Sequence, residues 1–214
     1  MNILLINGSP RKNGNTEIMS DTFLQAASEN GHTTEKINLY STKVNPCLGC
    51  DYCRSHDSAC VQKDGMDDIY LAMDKADLVV FASPLYSCGL SAQLVAVLNR
   101  FYSRVHTIGF HPQYSALFID SGGPTVITPE FIEFFKKKAE SNILPSNGGM
   151  FKDGVPSPGE LTNFNSAAVD QYQRVAKINR FEDLGVFAIG GMRAKGDMKN
   201  SPELQKVRDF AHSL

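Results

Sequence analysis

Four cysteines, Cys47, Cys50, Cys53 and Cys60, are spaced C-x2-C-x2-C-x6-C in this chain of 214 residues. Three thiols at that pitch on a short loop can turn their sulfurs toward one centre. Iron–sulfur clusters take four thiolates from compact runs of this kind. Zinc sites more often use two pairs across a longer spacer, so a cluster is the first occupant to consider and zinc the second. A different chemistry belongs to residues 1–16, MNILLINGSPRKNGNT. The apolar run 3–6 has the length of one buried strand. A turn follows at Asn7, Gly8, Ser9 and Pro10, then Arg11, Gly14 and Asn15, and Thr16 opens an amphipathic segment. Strand, Gly/Ser-rich turn and helix start in that order aim free backbone N–H groups and the positive helix end at one spot, which suits a phosphate. Gly8 permits close backbone approach. Ser9, Asn15 and Thr16 add short polar side chains, and Arg11 adds a planar fork for phosphate oxygens. The spacing matches neither a P-loop nor a GxGxxG dinucleotide turn, and the turn lacks the nucleophilic cysteine of a low-molecular-weight tyrosine phosphatase. The alternative is an ordinary polar turn of a parallel α/β sheet.

The elements that would position these residues alternate in type. Helices are predicted over 16–30, 66–75, 90–105, 129–140, 166–177 and 202–214, and strands over 3–6, 33–39, 78–82, 115–120 and 185–190. Residues 40–63 read as a polar loop carrying the four cysteines. Residues 142–163, rich in Gly, Pro, Ser and Asn, read as a long loop within an insertion at about 142–180 of an otherwise single domain, 1–214. Strand alternating with helix implies a three-layer α/β fold, with a doubly wound parallel five-stranded sheet covered on both faces. The strand count favours the flavodoxin-like order 2-1-3-4-5.

Such a sheet binds ligands outside the carboxyl ends of the strands that flank the switch in strand order. Three loops lie there. The first is the phosphate turn. The second runs Pro84, Leu85, Tyr86, Ser87, Cys88, Gly89, offering backbone groups and one aromatic ring. The third holds Asp120, Ser121 and Gly122. One phosphate plus one planar heterocycle describes FMN. Cys88 reads as a small buried thiol, and the five histidines form no pair with ligand spacing.

A net charge of −2 gives no basic footprint for nucleic acid. No apolar run reaches the length of a membrane span. Met1 leads straight into the first strand without a signal-like leader, which predicts a cytoplasmic location. Cysteines in that compartment are expected as thiols or metal ligands rather than disulfides.

The chain resembles the NADPH-dependent FMN reductase and iron–sulfur flavoprotein family of flavodoxin-like proteins. Four stretches carry the likeness: NGSPRKNGNT at 7–16, PCLGCDYC at 46–53 with Cys60 beyond it, ADLVVFASPLYSCGLSAQL at 76–94, and Leu98-Asn99-Arg100. The resemblance implies FMN held at its phosphate by Ser9, Arg11, Asn15 and Thr16, and along its ring by 84–89. It implies two-electron transfer from NAD(P)H and a homodimer or homotetramer. It also covers two states of the cysteine loop: a [4Fe–4S] cluster, or no cluster, with thiols left reduced or a pair such as Cys53 and Cys60 oxidised. Members commonly carry Lys and Asp where this chain has Val95 and Asn99, just before Arg100. The expected function is an FMN-dependent oxidoreductase passing electrons to a quinone, a free flavin, an azo or nitro compound, or a protein. The alternative is an iron–sulfur flavoprotein that accepts electrons from a ferredoxin-like protein. A third is a flavodoxin-like binding or regulatory protein.

Overall fold

The computed structural model describes residues 1–124, 128, 133, 137 and 164–214. The helix expected over 129–140 and the loop expected over 142–163 lie outside the described residues, apart from isolated positions. Five strands form one parallel sheet: β1 (Asn2–Asn7), β2 (Thr33–Asn38), β3 (Leu78–Pro84), β4 (Tyr114–Asp120) and β5 (Glu182–Ile189). Their spatial order is β2-β1-β3-β4-β5, as the alternation of elements predicts.

Continuous apolar runs make the central strands, because both faces of a parallel sheet are covered. The period of two then divides each run between two cores. Leu4 and Ile6 of β1, Val79 and Phe81 of β3, and Leu117 and Ile119 of β4 face one cluster. Ile3 and Leu5, Leu78 and Val80, and Ala116 and Phe118 face the other. The first cluster is closed by helices α2 (Met66–Met73), α3 (Ala92–Arg100) and α5 (Ser166–Asn179). The second is closed by α1 (Asn15–Glu29) and α6 (Leu204–Ser213), where Phe23 stacks on Phe210 at 5.6 Å and meets Phe118 edge-on at 5.0 Å. Helix α1 ends where predicted, with Gly31 at φ +87° just beyond it.

One element departs from its expectation. The helix predicted over 90–105 breaks at Phe101 into α3 and a short α4 (Tyr102–Val105). Tyr70 supplies the cause. Its hydroxyl donates to the Arg100 carbonyl at 2.5 Å, taking the acceptor that the Arg104 N–H would use. Arg104 N–H turns to the Phe101 carbonyl instead, at 3.0 Å. No helix among the described residues is long and apolar enough to cross a membrane.

Candidate functional site

Gly8 leaves β1 in contact with two neighbours. Its N–H donates to the Ala82 carbonyl at 2.7 Å, and its carbonyl accepts from the Ser91 hydroxyl at 2.8 Å. A Cβ here would meet Leu94 Cβ and Ser91 Oγ, both at 2.8 Å. The glycine is thus required by the approach of β1 to the start of α3 rather than by a ligand. Ser91, the N-cap of α3, also accepts from the Leu94 N–H, and its own N–H donates to Ser83 Oγ. The loops after β1 and β3 are bolted together by these bonds.

Past Gly8 the chain is shaped by buried side chains. Asn7 Oδ1 accepts the Ser9 N–H at 3.1 Å while its amide donates to Asn38 of β2. Ser9 Oγ accepts the Arg11 N–H at 3.2 Å. Glu17 accepts the Asn13 N–H and is held by Lys36 at 3.2 Å and Tyr40 at 3.3 Å. No side chain caps α1 among the described residues. Its first-turn N–H groups and the positive end of the helix are therefore left for the space that Arg11 lines.

That space is an open cleft at the carboxyl edge of the sheet. Ser9, Arg11, Gly14, Asn15 and Thr16 line it from the first loop, and Pro84, Leu85 and Tyr86 from the second. Asp120, Ser121 and Gly122 line it from the third. Ten of the thirteen residues singled out in the sequence for the cofactor thus share one cleft. Ser87, Cys88 and Gly89 are not among its lining residues. They form the tip of a tight hairpin in which Tyr86 and Gly89 exchange both backbone bonds, at 3.0 and 2.9 Å. Ser87 at φ 48° and Cys88 at φ 63° hold left-handed conformations that side chains disfavour, a strain that collects at ligand sites. The turn presents Tyr86, 40% exposed, to the cleft. Cys88, expected as a small buried thiol, is only half-buried because it sits at the hairpin tip, and that partial burial pushes its thiol up.

Asp120 is 6% exposed and accepts the Thr16 hydroxyl at 2.5 Å. Burial raises its carboxyl to about 6, against the lowering influence of Thr16 and of the Arg11 charge. Asn15 lines the cleft, but its carboxamide is occupied elsewhere. It donates to the Ala194 carbonyl at 2.9 Å and accepts from the Gly196 and Met198 N–H groups. It ties α1 to the loop after β5, and that loop adds Met192 and Lys195 to the lining. Sequence reasoning missed both residues because it weighed only the loops at the switch in strand order. The Gly190-Gly191 pair after β5, with Arg193 and Lys195 close behind, was the available signal.

The cysteine loop forms a second, separate cavity. Cys47, Cys50, Cys53 and Cys60 all line it, with Arg100 and Ser103 at its inner wall. Burial pushes the Cys53 thiol up, and charge on Cys60, Cys47 and Cys50 acts in the same direction, so the four are electrostatic neighbours. Among the described residues no three His, Cys, Asp or Glu side chains are gathered to hold a single metal ion. Such an ion needs every sulfur about 2.3 Å from one point. Four thiols around one cavity are the donor set that an iron–sulfur cluster takes. The acid that pairs Arg100 comes from outside its own helix: Asp64 accepts from Nη1 at 2.9 Å, while Asn99 is exposed.

A family model described as NADPH-dependent FMN reductase matches residues 1–118. An iron–sulfur flavoprotein of Methanocaldococcus jannaschii is 40% identical over 110 residues, which are 51% of this chain and 55% of that protein. One from Methanosarcina thermophila is 40% identical over 100 residues, 47% of this chain and 52% of that protein. The chain spans about half the length of these relatives. Among solved structures, an azoreductase from Bacillus anthracis superposes with a TM-score of 0.65 at 15% identity over 100% of both chains. An NAD(P)H:quinone oxidoreductase from Methanothermobacter marburgensis gives 0.63 at 17% identity, over 100% of this chain and 96% of that one. At such identities these two speak for the fold alone.

Proposed function

This chain belongs to the NADPH-dependent FMN reductase family, and from that premise we propose that it is an FMN-dependent oxidoreductase. The observation that carries the proposal is the cleft itself. An uncapped helix start, Arg11 and an exposed tyrosine on a strained hairpin line one cleft at the carboxyl edge of the sheet. That donor set fits a phosphate at one end and a flat ring at the other. FMN, when bound, supplies two-electron exchange at its ring. Arg11, the Ser9 hydroxyl and the first-turn N–H groups of α1 hold the phosphate. Thr16 is committed to Asp120 through its hydroxyl and contributes its backbone N–H. Backbone of 84–86 and Tyr86 flank the ring, and Ser121 and Gly122 border it from β4. Asn15 acts one step back, fixing the loop that carries Met192 and Lys195. No side chain need act as acid or base, because the donor is a nicotinamide. Acceptors of the right class are quinones, free flavins, azo or nitro compounds and redox proteins.

A second reading is favoured by the cysteine cavity. There the chain is an iron–sulfur flavoprotein that takes single electrons from a ferredoxin-like protein. The chemistry of the donor set fits a cluster: four thiols face one cavity with a buried cation on its wall. One experiment separates the two. Protein purified and reconstituted without oxygen is mixed with NADPH, and its absorption is followed. Prompt bleaching of a flavin band supports the reductase. Iron–sulfur absorption with a flavin that NADPH does not bleach supports the electron carrier. Absence of both chromophores would overturn the two readings together.

A further inference from the structure

Arg100 ends α3 and is 1% exposed, the largest fully buried side chain described. A guanidinium carries five N–H donors in a rigid fork and keeps its proton in any protein environment. Only Nη1 is satisfied, by Asp64 at 2.9 Å and by the Asn45 carbonyl at 3.1 Å. Nε and Nη2 are buried and have no hydrogen-bond partner among the described residues. Buried charged donors left unpaired are costly, and native structures rarely keep them without reason. The same side chain lines the cavity that holds all four cysteines. Cys60 lies within electrostatic reach of both Arg100 and Tyr70. Tyr70 cannot answer the empty donors, since its hydroxyl is engaged with the Arg100 carbonyl and Ser103. The side chain that carries two orphaned donors thus walls a small cavity lined by four thiols, a combination that suits an anionic occupant rich in acceptor sulfur.

We propose that Arg100 donates its Nε–H and Nη2–H to sulfur atoms of an iron–sulfur cluster held by Cys47, Cys50, Cys53 and Cys60, and thereby raises that cluster's reduction potential. The inference rests on the iron–sulfur reading of the cysteine loop. Uptake of one electron from a one-electron reductant, a ferredoxin-like protein or dithionite, adds one negative charge to the cavity. A fixed buried cation with N–H···S bonds favours the more negative state, and cluster potentials respond to net charge, sulfur hydrogen bonds and exposure. No proton moves, because Arg100 stays charged throughout. Asp64 serves as a positioning residue: by holding Nη1 it fixes the plane of the guanidinium. The competing account makes Arg100 only a clamp between α3 and residues 45 and 64. A lysine could serve as such a clamp, and nothing about the cluster would then change.

The test compares wild type with Arg100→Lys, full-length and reconstituted with iron and sulfide without oxygen, by a redox titration followed by EPR. Lysine keeps the charge beside Asp64 and lacks the fork. The variant is expected to retain iron and FMN while its one-electron reduction equilibrium falls at least tenfold, about 59 mV. Iron retained at an unchanged potential would overturn the assignment of Arg100 and leave the cluster reading standing. Wild-type protein that takes up no iron would overturn both. A second measurement guards against a variant that fails to fold. Protein with its arginines labelled in 15N, in an Arg54→Lys background that removes the arginine of the cysteine loop itself, should show 15N hyperfine coupling once reduced. A reduced cluster without that coupling would also overturn the proposal.

Discussion

At the cleft, Asn7, Ser9, Thr16, Asp120 and Ser91 are buried and bonded to one another's loops across the sheet. At the cysteine cavity, Cys47 and Cys50 are exposed, and among the described residues the Cys47 sulfur receives the Gly49 N–H alone, at 3.4 Å. The cleft draws its walls from the ends of strands that the core already fixes. The cysteine loop instead runs between β2 and α2, shaped by a short turn of helix at Tyr52–Ser55 and by Asp51, Asp57 and Ser58 in left-handed conformations. It is anchored by the buried pair of Arg100 and Asp64, with Asp64 also accepting the Asn45 N–H at 2.9 Å, and by Tyr102 and Thr107 of the segment after α3, which bond Asp51 and Ser58. A site assembled by the core is preorganised for a ligand that comes and goes. A site hung on a loop, with sulfur outside and unsatisfied donors inside, suits a resident group that completes its structure on binding. The contrast predicts that the two sites fail independently.

The largest effect is expected at Asp120, where the cleft carries a cost of its own. Burial lifts this carboxyl to about 6, while an unfolded chain titrates it near 3.9. Between about pH 4 and 6 the native state therefore holds more protons than the unfolded one. Stability falls as pH rises through that window, and the penalty is fully present above it. Asp120→Asn removes the ionisation and keeps an oxygen for Thr16. The variant should be more stable than wild type above pH 6 by roughly 3 kcal/mol, with the difference gone below about pH 4. Thermal unfolding at both ends of that range checks this. Equal stability at high pH would mean that water or Arg11 solvates the carboxylate better than its burial suggests.

Next is Arg11. If it and the start of α1 hold the phosphate, Arg11→Ala should weaken FMN on the order of 10- to 100-fold, since a charge-assisted hydrogen bond contributes about 1.5–3 kcal/mol. Riboflavin, which lacks the phosphate, should be affected far less. Titrations of both ligands into the apoprotein give the answer, and equal losses would put the phosphate elsewhere. Iron content in the same variant should not move.

How far these two regions were legible in the sequence follows from the range of the forces that build them. The strands could be read because a parallel sheet needs apolar runs such as 78–82, and the turn at 7–16 because glycine, arginine and helix start are local neighbours. The break at Phe101 was not legible: it depends on the Tyr70 hydroxyl reaching the Arg100 carbonyl, 30 residues along the chain. Asn15 has the look of a phosphate ligand in sequence, yet its carboxamide closes bonds to residues about 180 positions away. Likewise, the contact of Thr16 with Asp120 joins the start of α1 to the end of β4, which share no sequence signal. Period and turn chemistry fix which elements form and where their ends meet. Which donor is spent on protein and which is left for a ligand is decided by contacts between distant segments.

The smallest effect is expected in the apoprotein's cysteine loop. Cys50 is exposed and lies outside both apolar cores, so Cys50→Ser removes no packed volume and no buried hydrogen bond. Such surface changes usually alter stability by no more than about 0.5 kcal/mol. Iron-free Cys50→Ser should therefore unfold at the same denaturant midpoint as iron-free wild type and bind FMN with the same affinity, while reconstitution restores most of the iron to wild type only. A different result would be instructive in either direction. If iron-free Cys50→Ser loses FMN affinity, the loop communicates with the cleft. The route would run through the buried wall of α3, where Arg100 faces the cysteines at one end and Ser91 bonds Gly8 at the other. If it unfolds early, the Cys50 thiol carries a contact in solution that its exposure does not suggest, and the loop is structured before any metal arrives.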